Sequence, residues 1–333
     1  MLSSRRMKRA ACLAQWIAGL LFSPAIAFGS TPCTASSVNT CVPSDSFWAP
    51  TGAARFIGFS SSRTIAKGEL GFGLTFDYQR RPLFLWTPSP WPAGSTSPIV
   101  DHQVNASFGV ALGVTDHLEL YGTIPVTLYQ SGSGLEAITG SNSLRTTAMG
   151  DLRFGFGYTL VVMQEPALDE NPTIFGLTLR FEADTGSGDR TQFGAERTAV
   201  FAPSVVADWR RSSFFLGAQL GARFRGTTPF LGLNYGSQLF IAAGGGIDAL
   251  SHDQLSVLLE ARTLPSLVSQ NERSFIPTEW TLSLRSAPFR RKNFSLSLGF
   301  GGSLPLGDDA NTTAARTRIV FALRFAPQKT DHR

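Results

Sequence analysis

The chain has 333 residues, of which 43% are hydrophobic and 16% charged, with a formal net charge of +5. Beyond the N-terminus no apolar run reaches about twenty residues, which excludes a bundle of membrane helices. A polar–apolar alternation continues to the end without a break in composition, and this argues for one large sheet over two soluble domains.

Arg5, Arg6, Lys8 and Arg9 precede an apolar stretch from Ala10 to Phe22, followed by Pro24 and the small-x-small triplet Ala25-Ile26-Ala27. This is the layout of a cleaved export signal over residues 1–27. Cys12 stands ahead of most of the apolar stretch and does not read as a lipoprotein cysteine. The leader holds four of the 29 basic residues and none of the 24 acidic ones, leaving 25 against 24 in the mature chain. A near-neutral mature protein gives no basis for nucleic-acid binding. Cys33 and Cys41 are a candidate disulfide for an oxidising periplasm. With no CxxC and no nearby histidine, no metal site is indicated, and no cofactor either. Residues 28–65 are irregular, with Phe47, Trp48, Phe56, Ile57 and Phe59 as apolar points. They read as a periplasmic lead-in, as a plug in the barrel mouth, or as including a further strand near Arg55 to Ser60.

From residue 66 to 326 the sequence is written in twos. Leu152, Phe154, Phe156, Tyr158, Leu160 and Val162 alternate with Arg153, Gly155, Gly157 and Thr159, so a strand here has one apolar face and one polar or small face. The same rhythm predicts strands at 67–79, 101–113, 118–129, 148–162, 173–184, 199–209, 213–225, 235–247, 254–263, 277–287, 293–303 and 315–326. No soluble core explains so many large apolar residues facing one way. A closed barrel in lipid does: its outside is apolar, its inside is wet, and closure leaves no unpaired backbone edge. The predicted fold is all-β, a single transmembrane antiparallel up-and-down β-barrel of about 12 strands, with residues 327–333 as a periplasmic tail.

Short polar connections after the even-numbered strands face the periplasm, and the longer ones face outward, which puts both termini on the periplasmic side. The inward face then carries Glu69, Asp77, Glu119, Asp151, Glu182, Asp184, Glu260 and Glu279 against Arg153, Arg180, Arg223, Arg225, Arg262, Arg285, Arg318 and Arg324. Buried charge is costly unless paired, so this balanced set reads as ion pairs across the lumen or between strands, with a weakly selective water-filled lining as the alternative. The first outer loop, Arg80 to Pro98, is apolar, with Trp86 and Trp91 as its aromatic points. It lines an entrance, touches lipid headgroups, or folds over the barrel mouth. Trp209 and Trp280, near strand ends, suit an aromatic belt.

A serine hydrolase needs a nucleophile, a histidine base and an orienting group. The four histidines are His102, His117, His252 and His332, and only His102 beside Asp101 is placed for surface chemistry. No G-x-S-x-G occurs, so no catalytic residue is assigned. Gly244-Gly245-Gly246 and Gly299 to Gly302 lie within strand patterns and lack the lysine of a phosphate loop.

LGVTDHLELYGTIPVTLYQ (Leu112–Gln130) and MGDLRFGFGYTLV (Met149–Val161) resemble outer-membrane barrels of the transporter and phenol-degradation (MetA-pathway) type and the barrel halves of OmpA-like proteins. The chain ends at the twelfth strand, with no room for a C-terminal peptidoglycan-binding domain, so wall anchoring is not implied. The ending Arg324-Phe325 resembles the terminal aromatic signal of such barrels for the assembly machinery, although eight residues follow it. The function expected from this reading is a passive outer-membrane channel for small solutes, with outer-membrane lipid and the barrel-assembly machinery as partners. A closed barrel presenting loops to a partner and an outer-membrane lipid hydrolase are the rivals.

Overall fold

The structure, a computed structural model, describes residues 40–87, 95–136, 143–164, 173–230, 233–250, 254–269, 275–286, 294–304 and 312–327. The export signal, Cys33, Trp91, His252 and His332 lie outside them. The strands are β1 (Leu70–Thr87), β2 (Ser95–Gly113), β3 (Leu118–Ser131), β4 (Ala148–Met149), β5 (Arg153–Gln164), β6 (Thr173–Asp184), β7 (Val200–Arg211), β8 (Phe214–Arg223), β9 (Thr228–Phe230), β10 (Leu233–Tyr235), β11 (Gln238–Asp248), β12 (Leu255–Thr263), β13 (Thr278–Ser286), β14 (Phe294–Ser303) and β15 (Thr317–Phe325).

Twelve of these form the wall. Each pairs antiparallel with its neighbours in chain order, and β1 pairs with β15 from Phe72↔Phe325 to Arg80↔Thr317. The sheet is therefore closed, and no strand edge is left to face hydrocarbon. The short β9–β10 hairpin stands apart from the wall, in the connection between β8 and β11. The two-residue period sets the two surfaces. On β14, Leu298 and Phe300 are exposed on the outside, whereas Ser295 and Ser297 are buried inside. Phe325, Phe294 and Phe72 pack ring on ring beside the seam.

The expected strand at 148–162 is broken, and the reason is local. Pro125 on β3 has no N–H to give, so the ladder cannot run on past it. Gly150 N–H donates to the Pro125 carbonyl at 3.0 Å, and a Cβ on Gly150 would meet the proline ring at 2.8 Å. Three residues, Gly150 to Leu152, bulge out there and leave β4 as a stub.

The first hairpin differs in the opposite sense. β1 and β2 continue through the stretch read as a loop, past a register shift between Arg80 and Leu83 where Arg81 takes φ 50°. Leu83, Phe84, Ile99 and Val100 are buried there. Leu83, Ile99 and Val100 meet Leu135, Phe193, Phe230, Leu233, Tyr235 and Phe275 of the other long connections, forming an apolar cap at the loop end of the barrel. Trp86 belongs to β1, and nothing is described of its side chain.

A charge on the lipid face at mid-depth costs about 2–4 kcal/mol in a barrel wall. Leu298→Arg is expected to lower folding stability in lipid or detergent by about that amount, read from the urea midpoint of the heat-modifiable gel band, while Ser297→Ala on the inner face stays within about 1 kcal/mol.

Candidate functional site: a lumen filled by the chain's own segment

Side chains alone fill a barrel of about eight strands, and twelve strands enclose a wider bore. Here the polypeptide itself shares that space. Val42 belongs to the cap at the loop end, and the Ala66 N–H donates to the Pro327 carbonyl at the turn end. Between them the chain runs the length of the barrel, and the further strand considered for Arg55–Ser60 does not form. Val42 at the loop end also departs from a wholly periplasmic lead-in. Phe59 is buried in this bore, and Phe47 and Trp48 are half-buried. Beside Trp48, Phe59, Arg180 and Gln219 a cavity of about 40 Å³ remains, room for a few waters.

Backbone groups of this segment must find partners once water is gone. The wall supplies them. Both oxygens of Glu260 accept, from Ile57 N–H at 2.8 Å and Gly58 N–H at 2.7 Å. Glu119 accepts from Ile65 N–H at 2.9 Å, Asp208 from Ser62 N–H at 2.7 Å, and Gln219 from Ser60 N–H at 2.9 Å. Going the other way, Arg324 donates to the carbonyls of Ala54 and Phe56 at 3.1 and 2.8 Å, and Arg223 donates to that of Ser46 at 2.9 Å. The guanidinium of Arg223 lies 4.0 Å from the Trp48 ring centre, and those of Arg262 and Arg318 lie 4.5 and 4.8 Å from Phe47. Such cation–ring contacts strengthen when desolvated.

One charged side chain of the segment enters an ion network. Asp45 meets Arg318 at 2.7 Å, and Arg318 also reaches Asp77 and Glu279 at 3.0 Å each. Arg262 joins Glu279 at 2.6 Å, across a register pair of β12 and β13. A second pair spans three strands: Glu119 on β3 reaches Arg180 on β6 at 3.0 Å, over Gly157 on β5. A Cβ at Gly157 would stand in ordinary van der Waals contact with both partners, at 3.4–3.5 Å.

The other charges named from the sequence fall as follows. Arg153 lies 3.5 Å from Glu182 on the adjacent strand. Asp184 is buried and accepts from Gly186 N–H at 2.8 Å. Arg285 is half-buried on β13. Glu69 does not line the lumen: it is exposed in the turn ahead of β1, where its carbonyl accepts from Gly113 N–H. Arg225 is buried against Glu196 and Tyr235, both from long connections. Asp45 and Glu196 lie in irregular stretches where no alternation points to them, whereas Asp208 and Gln219 stand at inward parity in the predicted strands 199–209 and 213–225 and were legible there.

Asp151 holds the long connection between β6 and β7 by accepting from Gly188 N–H at 2.8 Å and Glu196 N–H at 2.7 Å. Burial pushes the carboxyls of Asp151 and Glu196 above the usual range, the two loop hydrogen bonds opposing this at Asp151 and Arg225 opposing it at Glu196. Cys41 is buried and disulfide-bonded, with its partner outside the described residues.

His102 faces outward near the loop end. Its Nδ1 lies 2.8 Å from the Tyr78 hydroxyl and its Nε2 lies 3.5 Å from Asp101. Among the described residues neither neighbour supplies the nucleophile of a serine hydrolase.

No family model and no curated protein matches the chain. Among solved structures, the COG4313 outer membrane channel from Pseudomonas putida F1 aligns over 81% of this chain and 99% of its own at 10% identity, with a TM-score of 0.53. The NanC porin aligns over 78% and 100% at 8% identity, with a TM-score of 0.46. The first of these shares the fold, a closed antiparallel β-barrel.

Two outcomes follow from the charges. Arg318→Met takes the guanidinium from Asp45, Asp77 and Glu279, leaving the buried Asp77 without it and Glu279 with Arg262 alone, and is expected to cost about 3–5 kcal/mol, read by urea unfolding in micelles. For the β6–β7 connection, raised carboxyls mean that the docked form binds more protons than the undocked one. Docking therefore strengthens as pH falls through the raised values towards the ordinary carboxylate range near 4, and it levels off below that. Amide-exchange protection of Gly188 and Glu196 is expected to be greater at pH 5 than at pH 8.

Proposed function

We propose that the protein is an exported outer-membrane channel for small solutes, held shut by residues 42–65 of its own chain. The observation that carries this is the hydration-ready lumen wall. Its arginines and carboxylates are bonded to a removable segment through Glu260, Arg324, Glu119 and Arg223, and not solely to one another. A barrel built only for rigidity is better served by an apolar interior, because replacing buried ion pairs with well-packed hydrophobic residues is often neutral or stabilising. The long-loop end then faces the exterior and the short-turn end the periplasm. The export signal at 1–27, the Cys33–Cys41 disulfide and the kinship with transporter-type barrels belong to the same reading. The apolar cap favours a second reading, a closed barrel presenting its outer connections to a partner.

Planar-bilayer recording separates the two. The intact protein is expected to open rarely. Asp45→Ala and Glu260→Gln each remove a hydrogen bond to a charged group, a contribution of about 1.5–3 kcal/mol, so each is expected to raise the open fraction about tenfold or more. Variants that fold and insert yet stay as silent as lipid alone would leave only the closed-barrel reading.

A further inference from the structure

The segment in the lumen is recognised mainly by what every peptide has. Two successive N–H groups go to Glu260, and two carbonyls a residue apart go to Arg324. A third carbonyl is held by Arg223, and a further N–H by Asp208. The side chains of Ala54, Phe56 and Ile57 make none of these bonds. We propose that the lumen is a binding path for oligopeptides, with residues 45–65 occupying it as the chain's own stand-in for that cargo. This rests on the channel reading only in that a cargo must be able to reach the lumen.

The chemistry selects the class. Every peptide chain presents N–H donors and C=O acceptors whatever its side chains are, and the bends between Gly52 and Phe59 let two adjacent N–H groups reach the one Glu260 carboxylate. Carboxylates accept and arginines only donate, so the wall reads the direction of each peptide group as well as its presence. A sugar offers hydroxyls that satisfy either partner, and a simple ion satisfies one sign alone. Some side-chain contacts belong to this sequence: Asp45 pairs with Arg318, Ser61 Oγ donates to Asp208 at 2.6 Å, and Phe56 and Phe59 pack with Phe215 and Leu258. Others are broader in taste. Trp48 lies against the Arg223 guanidinium and Phe47 against that of Arg262, positions that suit any aromatic residue.

The test keeps the full chain. A site-specific protease sequence is inserted in the exposed turn between Lys67 and Gly68, the protein is folded intact in detergent, and the turn is then cut, which makes the segment a non-covalent ligand. Release of the segment, labelled at its N-terminus, is followed by size exclusion while capped peptides of about ten residues, roughly 33 Å when extended, are added. Unrelated peptides are expected to displace it, and their backbone N-methylated twins to need at least about tenfold more. Glu260→Gln is expected to shrink that difference. The proposal is overturned if only a peptide of the segment's own sequence displaces it, or if the methylated twins do so equally well. It is also overturned if no peptide displaces the segment in either the cut chain or a cut Asp45→Asn chain, whose segment has lost its charged anchor. Exchange is read without current: a barrel that exchanges but never conducts loses the channel and keeps the peptide site, and one that conducts without exchange does the reverse.

Discussion

A carboxylate or guanidinium shut inside a protein must be met by opposite charge or by hydrogen bonds, and this requirement governs the interior of the barrel. Closure of the sheet satisfies the wall's own backbone and leaves the inward side chains to be dealt with separately. Part of the inner charge is neutralised within the wall, by Arg180 with Glu119 and by Arg262 with Glu279. The remainder turns to the segment: Glu260 and Arg324 take its amides and carbonyls, and Arg318 takes Asp45. Segment and wall therefore satisfy one another, since each has buried polar groups that only the other is near enough to reach.

The wall was legible because its cause is periodic. A strand facing lipid on one side repeats every two residues, and the predicted span 173–184 coincides with β6, with 293–303 and β14 one residue apart at one end. Where the rhythm misled, a single local event interrupted it. Pro125 on one strand breaks the neighbouring one at Gly150, a cross-strand effect that no pattern within 148–162 contains. Glu69 shows the same weakness at a strand start, where parity continues on paper although the strand has not begun.

The filled lumen was much less legible, for a different reason. Its decisive bonds join residues far apart in sequence, such as Ile57 with Glu260 and Ala54 with Arg324, and they use backbone groups that every residue carries. No residue type marks such a segment. The balance of inward acids and arginines suggested that charges would be paired, yet several of them face peptide groups, which composition cannot register. Glu196 and Tyr235, which bury Arg225, come from irregular connections where no periodicity exists to read.

The seam between β1 and β15 joins the beginning of the wall to its end, and the interior segment lies upstream of both. The last strand carries Arg318 and Arg324, which hold Asp45 and the carbonyls of Ala54 and Phe56, so the cord inside the barrel is fully bonded only once the far end of the chain has joined the sheet.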